Sequence, residues 1–242
     1  MLRPMAKLTN KQLKLAVQAQ PDDSTCGPTC LHAVYRYHGD PISLEQVISE
    51  VKPLEGGGTL AVWLACHALR RGFDARIHTY NLQIFDPTWF RKGVDLRQRL
   101  KAQTEQKTNK KLALATEAYL EFLDLGGQLD FKDLTSGLIR GLLNRDLPIL
   151  TGLSATYLYA CAREHQDEYD DIRGLPTGHF VVLSGYDRLR RLIMVADPLQ
   201  DNPGFGSHYY SVGMDRLIGA ILLGILTYDA NLLVITPKRR KD

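Results

Sequence analysis

Hydrophobic and polar positions follow a helical period in the first part of the chain and a strand-like pattern in the last. After Pro28, Cys30, Leu31, Val34 and Tyr37 or His38 recur at helical spacing, and Gly39 suits the residue past the helix end. Ser43 and Gln46 make a capping box for a second helix that Pro53 ends. Gly56, Gly57 and Gly58 form a loop, after which Thr59 is expected to cap a third helix running to Arg71. A short strand is expected over 75–80. Residues 88–125, which contain no proline, read as one long, mostly helical stretch, followed by a short helix near 136–144. Apolar runs at 147–153, HFVVLSG, LIMVA and NLLVITP read as strands, with a helix near 212–223 between the last two. Helices first and most strands last imply an α+β fold, not alternating βαβ units. A single domain over 1–242 is expected, with 82–145 as a helical insertion within it.

The chain has 242 residues, 44% hydrophobic and 24% charged, enough for one sizeable core and unlike a disordered or fibrous sequence. Thirty basic against 27 acidic residues leave a net charge of +3, too small to imply nucleic-acid binding or attraction to a membrane. The longest apolar stretch, 217–226, is broken by Gly219 and Gly224 and is about half of a bilayer span, so no membrane insertion is expected. Arg3, Lys7, Lys11 and Lys14 leave no room for the apolar core of a signal peptide. The expected location is cytoplasmic, where the four cysteines are free thiols. Residues 91–111 hold eight Lys/Arg and two Asp/Glu, read as a solvated helix face in the absence of interleaved aromatics. Residues 164–171 hold five acids and lack the glycine and ligand spacing of a calcium loop, which leaves a solvated lid or docking surface. Cys26, Cys30 and His32 lack the spacing of a zinc site, and no metal or other cofactor is expected.

Chemistry concentrates at two places. Cys26 stands at the entrance of the first helix, where free N–H groups and the helix dipole favour a thiolate; a small core residue is the alternative. Gly27 leaves room for another backbone, or a substrate, to approach closely, and Cys30, one turn on, reads as a buried structural thiol. The segment GHFVVLSGYDRLRRLIMVADP can fold as an antiparallel hairpin centred on Arg188. Leu183 then faces Ile193, Val182 faces Met194, Val181 faces Val195, and His179 lands opposite Asp197. Asp197 would accept from His179 Nδ1–H and leave Nε2 outward. The alternative is an ordinary core hairpin with two polar ends. Upstream, Gln20 lies six residues before Cys26, where its amide could fold back to donate to an oxyanion; Gln18 is a rival.

Gln20-x5-Cys26-Gly27, with Leu31 and the YHG of 37–39, resembles the N-terminal motif of the double-glycine leader peptidases, which are papain-like cysteine peptidases. HFVVLSGYD and VADP resemble that family's His and Asp strands. The resemblance covers roughly 15–80 and 145–200. It implies a papain-like α+β fold and a Cys–His–Asp peptidase acting on a peptide or protein substrate through a thioester. It further implies Cys26 as nucleophile, His179 as general base and then acid, Asp197 as orienter, and Gln20 as oxyanion donor. The chain departs from compact family members in the 153 residues from Cys26 to His179, in the segment 82–145, and in a second extra stretch at 155–177. A transporter domain is not expected. Two further readings stay open: a non-catalytic peptide-binding module on this fold, and acyl transfer to an amine in place of water.

Overall fold

The computed structural model describes residues 10–238. Arg3 and Lys7, and all but the first residue of the basic KRRK tail, lie outside the described residues. The chain folds as α+β, with a mostly antiparallel sheet in the order β3-β2-β10-β4-β7-β8-β9. Its strands are β1 (Lys11–Gln12), β2 (Phe73–Thr79), β3 (Gln128–Asp130), β4 (Ile149–Ser154), β7 (Gly178–Asp187), β8 (Leu192–Ala196), β9 (Tyr209–Gly213) and β10 (Asn231–Pro237). β1 pairs with the far end of β7, and β3 alone runs parallel to its neighbour β2. Strands β5 (Glu164–His165) and β6 (Glu168–Tyr169) form a separate small hairpin.

Helices cover both faces of the sheet. On one face lie α1 (Cys26–Tyr37), α2 (Leu44–Glu50), α3 (Ala61–Arg70), α4 (Leu96–Gln106) and α5 (Lys110–Asp124). On the other lie α6 (Ser136–Leu143), α7 (Ala155–Tyr159) and α8 (Met214–Leu223). This two-sided burial explains why the β7 and β10 sequences are continuously apolar instead of alternating. Phe180 and Val182 of β7, with Leu233 and Ile235 of β10, enter the first core. Val181, Leu183, Leu232 and Val234 enter the second.

Local signals set most boundaries. Ser43 Oγ accepts from Gln46 N at 3.2 Å and caps α2, while the Gln46 amide reaches Glu50, so only half of the capping box forms. Thr59 does not cap α3: its hydroxyl donates to Lys52 O, and Leu60 holds the cap position. The expected long helix over 88–125 is broken. A 3-10 turn over Pro87–Phe90 precedes α4, and the Asn109 side chain then caps α5 by accepting from Leu112 N. Leu100, Leu112, Ala115, Tyr119 and Phe122 from this region are buried in the first core. Among the described residues, no helix is long and apolar enough to cross a membrane.

Candidate active site

Three elements converge. Cys26 opens α1, where its N–H has no carbonyl one turn back to accept it. Thr29 N–H and its hydroxyl both return to Thr25 O, and Asp22 accepts from the N–H and hydroxyl of Ser24, so the approach to Cys26 is tied down. Gly27 is needed for packing: a Cβ there would come within 2.7 Å of Thr59 Cγ2 and 3.2 Å of the Phe180 ring. The room that Gly27 leaves is thus taken by side chains of the core. Cys30 is fully buried and its thiol donates to Phe180 O at 3.2 Å, which fastens α1 to β7 beside His179. Burial pushes the Cys30 thiol well up, fitting a structural role.

His179 Nε2 lies 2.8 Å from Asp197 Oδ1. The ring is therefore turned the opposite way from the sequence expectation: Asp197 holds Nε2, and Nδ1 is the nitrogen left over. Cys26 lies near enough to this imidazole to help hold a proton on it. The hairpin register also differs. Leu183 pairs with Val195 and Val182 with Ala196. Beyond a bulge at Ser184, Gly185 pairs with Met194 and Tyr186 with Ile193. The hairpin turns over 188–191, where Arg191 takes a left-handed φ of 55°, and the strands slide against the expected pairing by three residues next to the turn and by two on the site side of the bulge. A two-residue slide keeps the side chains on the site side of the bulge on their expected faces, while the bulge brings Tyr186 to the same core as Leu183. Carried one step past Ala196, the register sets Asp197 level with Val181, so His179 reaches it as a diagonal neighbour.

Asp197 is completely buried and its carboxylate is saturated. Oδ1 accepts from His179 and from Leu199 N at 2.9 Å; Oδ2 accepts from the hydroxyls of Tyr159 and Tyr210, each at 2.7 Å. Burial acts to raise the Asp197 pKa, but the charge of His179 and the bonds from His179, Tyr159 and Tyr210 outweigh it and hold it below the usual carboxylate range. Burial likewise opposes a charge on His179, yet Asp197 and Cys26 outweigh it and raise the imidazole to about 10. Both tyrosines are pushed up, first by burial and then by Asp197, so they stay neutral donors.

Neither tyrosine was legible in the sequence. Tyr159 lies in the stretch 155–177, which reads there as an addition; in the structure α7 from that stretch carries an Asp197 partner. Tyr210 lies on β9, and its ring stacks on Phe205 at 3.8 Å. Only the strand pairing of β8 with β9 brings it to Asp197.

Gln20 is joined to the same corner. Its N–H donates to Pro198 O, next to Asp197, and it lines one cleft with Tyr159 and His179. Its Nε2 donates to Asp22 O at 2.9 Å, which uses one of the two amide hydrogens. Gln18 lies elsewhere, in a separate hollow with His32 and Arg36. The acidic run 164–171 forms the β5–β6 hairpin, turned by Gln166 and Asp167 in left-handed conformations. Glu164 and Asp167 line both the cleft at His179 and an adjoining one at Cys26.

A thiol at a helix start, near an imidazole held by a buried carboxylate, is an arrangement that can support nucleophilic acyl transfer. The family model described as Peptidase_C39 like family matches residues 12–214, and the chain belongs to that family. Similar solved structures include a double glycine motif protease from an AMS/PCAT transporter in complex with the leader peptide. It is 15% identical, with a TM-score of 0.46, over 96% of this chain and 97% of that one. The peptidase domain of Streptococcus ComA, a bifunctional ABC transporter, is 13% identical with a TM-score of 0.44 over 92% and 98%. Xylellain, a cysteine protease from Xylella fastidiosa, is 14% identical with a TM-score of 0.42 over 95% and 86%. No curated protein matches the sequence.

Proposed function

We propose that this protein is a cytoplasmic cysteine peptidase that cleaves a peptide or protein substrate through a thioester on Cys26. The observation that carries the reading is His179, which Cys26 helps to raise and which is bonded to a carboxylate whose other lone pairs are all occupied. With Asp197 on Nε2, the Cys26 proton passes to Nδ1. The sulfur attacks the scissile carbonyl carbon. The resulting oxyanion accepts from the Cys26 N–H and from the second amide hydrogen of Gln20. His179 then returns the proton to the departing amine as the C–N bond breaks. In the second half His179 takes a proton from water, hydroxide adds to the thioester, and Cys26 leaves as the thiol. Asp197 keeps the ring oriented throughout and stabilises its cationic form.

The test is cleavage of a peptide library read by mass spectrometry, with Cys26→Ala as the control. Products from the wild type and none from the variant are expected, with added mass on Cys26 trapped by quenching in acid. Binding without cleavage by the wild type would establish a peptide-binding module instead. Products in which an added amine replaces water at every turnover would establish an acyl transferase.

A further inference from the structure

The cleft beside Cys26 holds about 420 Å³ and runs between the Gly56–Gly58 loop and the β5–β6 hairpin. Four carboxylates line it, from Asp23, Glu164, Asp167 and Asp229, against the single ammonium of Lys111. This is a reversal of the chain's overall charge of +3. Asp229 differs from the other three. It is 5% exposed, and its Oδ1 has no hydrogen-bond partner among the described residues. Its Oδ2 receives only a long 3.3 Å bond from Thr227. A buried polar atom without a partner costs about 1–3 kcal/mol, more for a charged group, so such atoms are uncommon unless something else completes them.

The fold keeps Asp229 in place at some strain. Tyr228 and Ala230 on either side both take left-handed conformations, with φ of 72° and 61°, in residue types that do so rarely. Gly152 of β4 clears the space, since a Cβ there would stand 2.6 Å from Asp229 Cγ. Lys111 does not complete the carboxylate: its ammonium lies over the Tyr228 ring and toward Thr227 O at 3.5 Å.

We infer that Asp229 is a specificity residue that anchors a cationic group of the peptide substrate in the cleft beside Cys26. The inference rests on the peptidase reading above. Burial raises the carboxylic group to about 7 against the smaller opposing effects of Thr227 and Lys111, so a cation that pairs with this carboxylate favours the ionised form. Asp23, Glu164 and Asp167 extend the same sign of field along the path a peptide follows to Cys26. The cation can be a lysine or arginine side chain or a free N-terminal ammonium, since a carboxylate takes either.

Matched peptides separate these two sources. Lysine is exchanged for norleucine at each position around the scissile bond, and the free N-terminus is compared with its acetylated form. The wild type should prefer the cationic member of one pair by about ten- to a hundred-fold in kcat/KM, the range of a hydrogen bond to a charged group. Asp229→Asn, which keeps the shape, should bring that preference to within about threefold. Should that variant fail to fold, Lys111→Met gives the converse reading, because removing the competing ammonium should strengthen the preference severalfold. Equal cleavage of every pair by the wild type overturns the inference and leaves the peptidase reading intact. So does a preference that survives Asp229→Asn, or one that Lys111→Met leaves unchanged. No cleavage of any peptide would overturn both.

Discussion

Replacing Tyr159 by phenylalanine removes one oxygen and leaves the ring, so the change isolates one bond to the buried Asp197 carboxylate. That bond is 2.7 Å long, and both partners are buried. A hydrogen bond to a charged group contributes roughly 1.5–3 kcal/mol, and a site closed to water belongs toward the upper part. Tyr159→Phe is therefore expected to cost about 2 kcal/mol of folding stability, close to a thirty-fold change in the unfolding equilibrium. Tyr210→Phe removes the matching bond to the same oxygen, but its hydroxyl is less fully enclosed, and about 1.5 kcal/mol is expected. The double variant should lose more than the sum, because Oδ2 then has no donor left and the charge is stranded. Urea unfolding followed by the fluorescence of Trp63 and Trp89 measures all three.

The loss should depend on pH. Asp197 titrates below the usual carboxylate range in the folded state, so its contribution is present above the unfolded value of about 3.9 and is lost as pH falls through the lower folded value. Removing a donor moves the folded value back toward the unfolded one. The destabilisation should thus be full at neutral pH and shrink in acid. A change under 0.5 kcal/mol at pH 7, or strictly additive single and double variants, would refute the view that the tyrosines sustain the Asp197 charge.

Other outcomes follow from the same geometry. Cys26 should be alkylated by iodoacetamide faster than the more exposed Cys161, whose thiol is raised by burial, and His179→Ala should abolish the advantage; equal labelling would count against an activated nucleophile. The raised His179 value places the alkaline limb of kcat/KM well above the ordinary histidine value of about 6.5, and the stability it lends is full below that value and lost as pH rises toward about 10; an alkaline limb near 6.5 would contradict the pairing with Asp197. Gln20→Ala should lower kcat by about 10²–10³ with little change in KM, while Gln18→Ala, in its separate hollow, should be nearly silent; the reverse pattern would assign the oxyanion donor to the wrong glutamine. Removing 90–135 from within the expected insertion 82–145 and bridging the ends should give an unfolded product, because Leu100, Leu112, Tyr119 and Phe122 are buried in the first core; a cooperative melt of the bridged chain would show the segment to be dispensable.

Much of the fold and part of the site are legible in local sequence. Cys26 before Pro28 marks a helix start because both residues act within one turn. The same holds for Ser43 before α2, and for the apolar runs of β7, β8 and β10. What depends on distant partners is not legible. The break between α4 and α5 is set by Asn109 capping, which a helical pattern on both sides conceals. The role of Gly27 comes from Thr59 and Phe180 packing over it. Tyr159, Tyr210 and Asp229 belong to the site only through strand order and loop paths, and none has a neighbour in sequence that marks it.

The hairpin shows why a wrong register still brought the right pair together. Sequence alone fixes the parity of β7 and β8, because a one-residue error would turn Val181, Leu183, Ile193 and Val195 from the second core to the other face. A slide of two residues costs nothing in that pattern, so the turn decides it. Here the Arg191 backbone and the bulge at Ser184 lengthen the turn side and displace the pairing. His179 and Asp197 then meet diagonally, across a greater separation than direct opposition provides. The longer reach brings Nε2, the more distant ring nitrogen, to the carboxylate. It leaves Nδ1, nearer the backbone of β7, without a bond to Asp197. Since Cys30 ties α1 to Phe180 O, one residue along from His179, the helix that carries Cys26 is held against that same backbone. The orientation of the imidazole therefore follows from the strand register, and a change that restored direct opposition should bring Nδ1 to the carboxylate in place of Nε2.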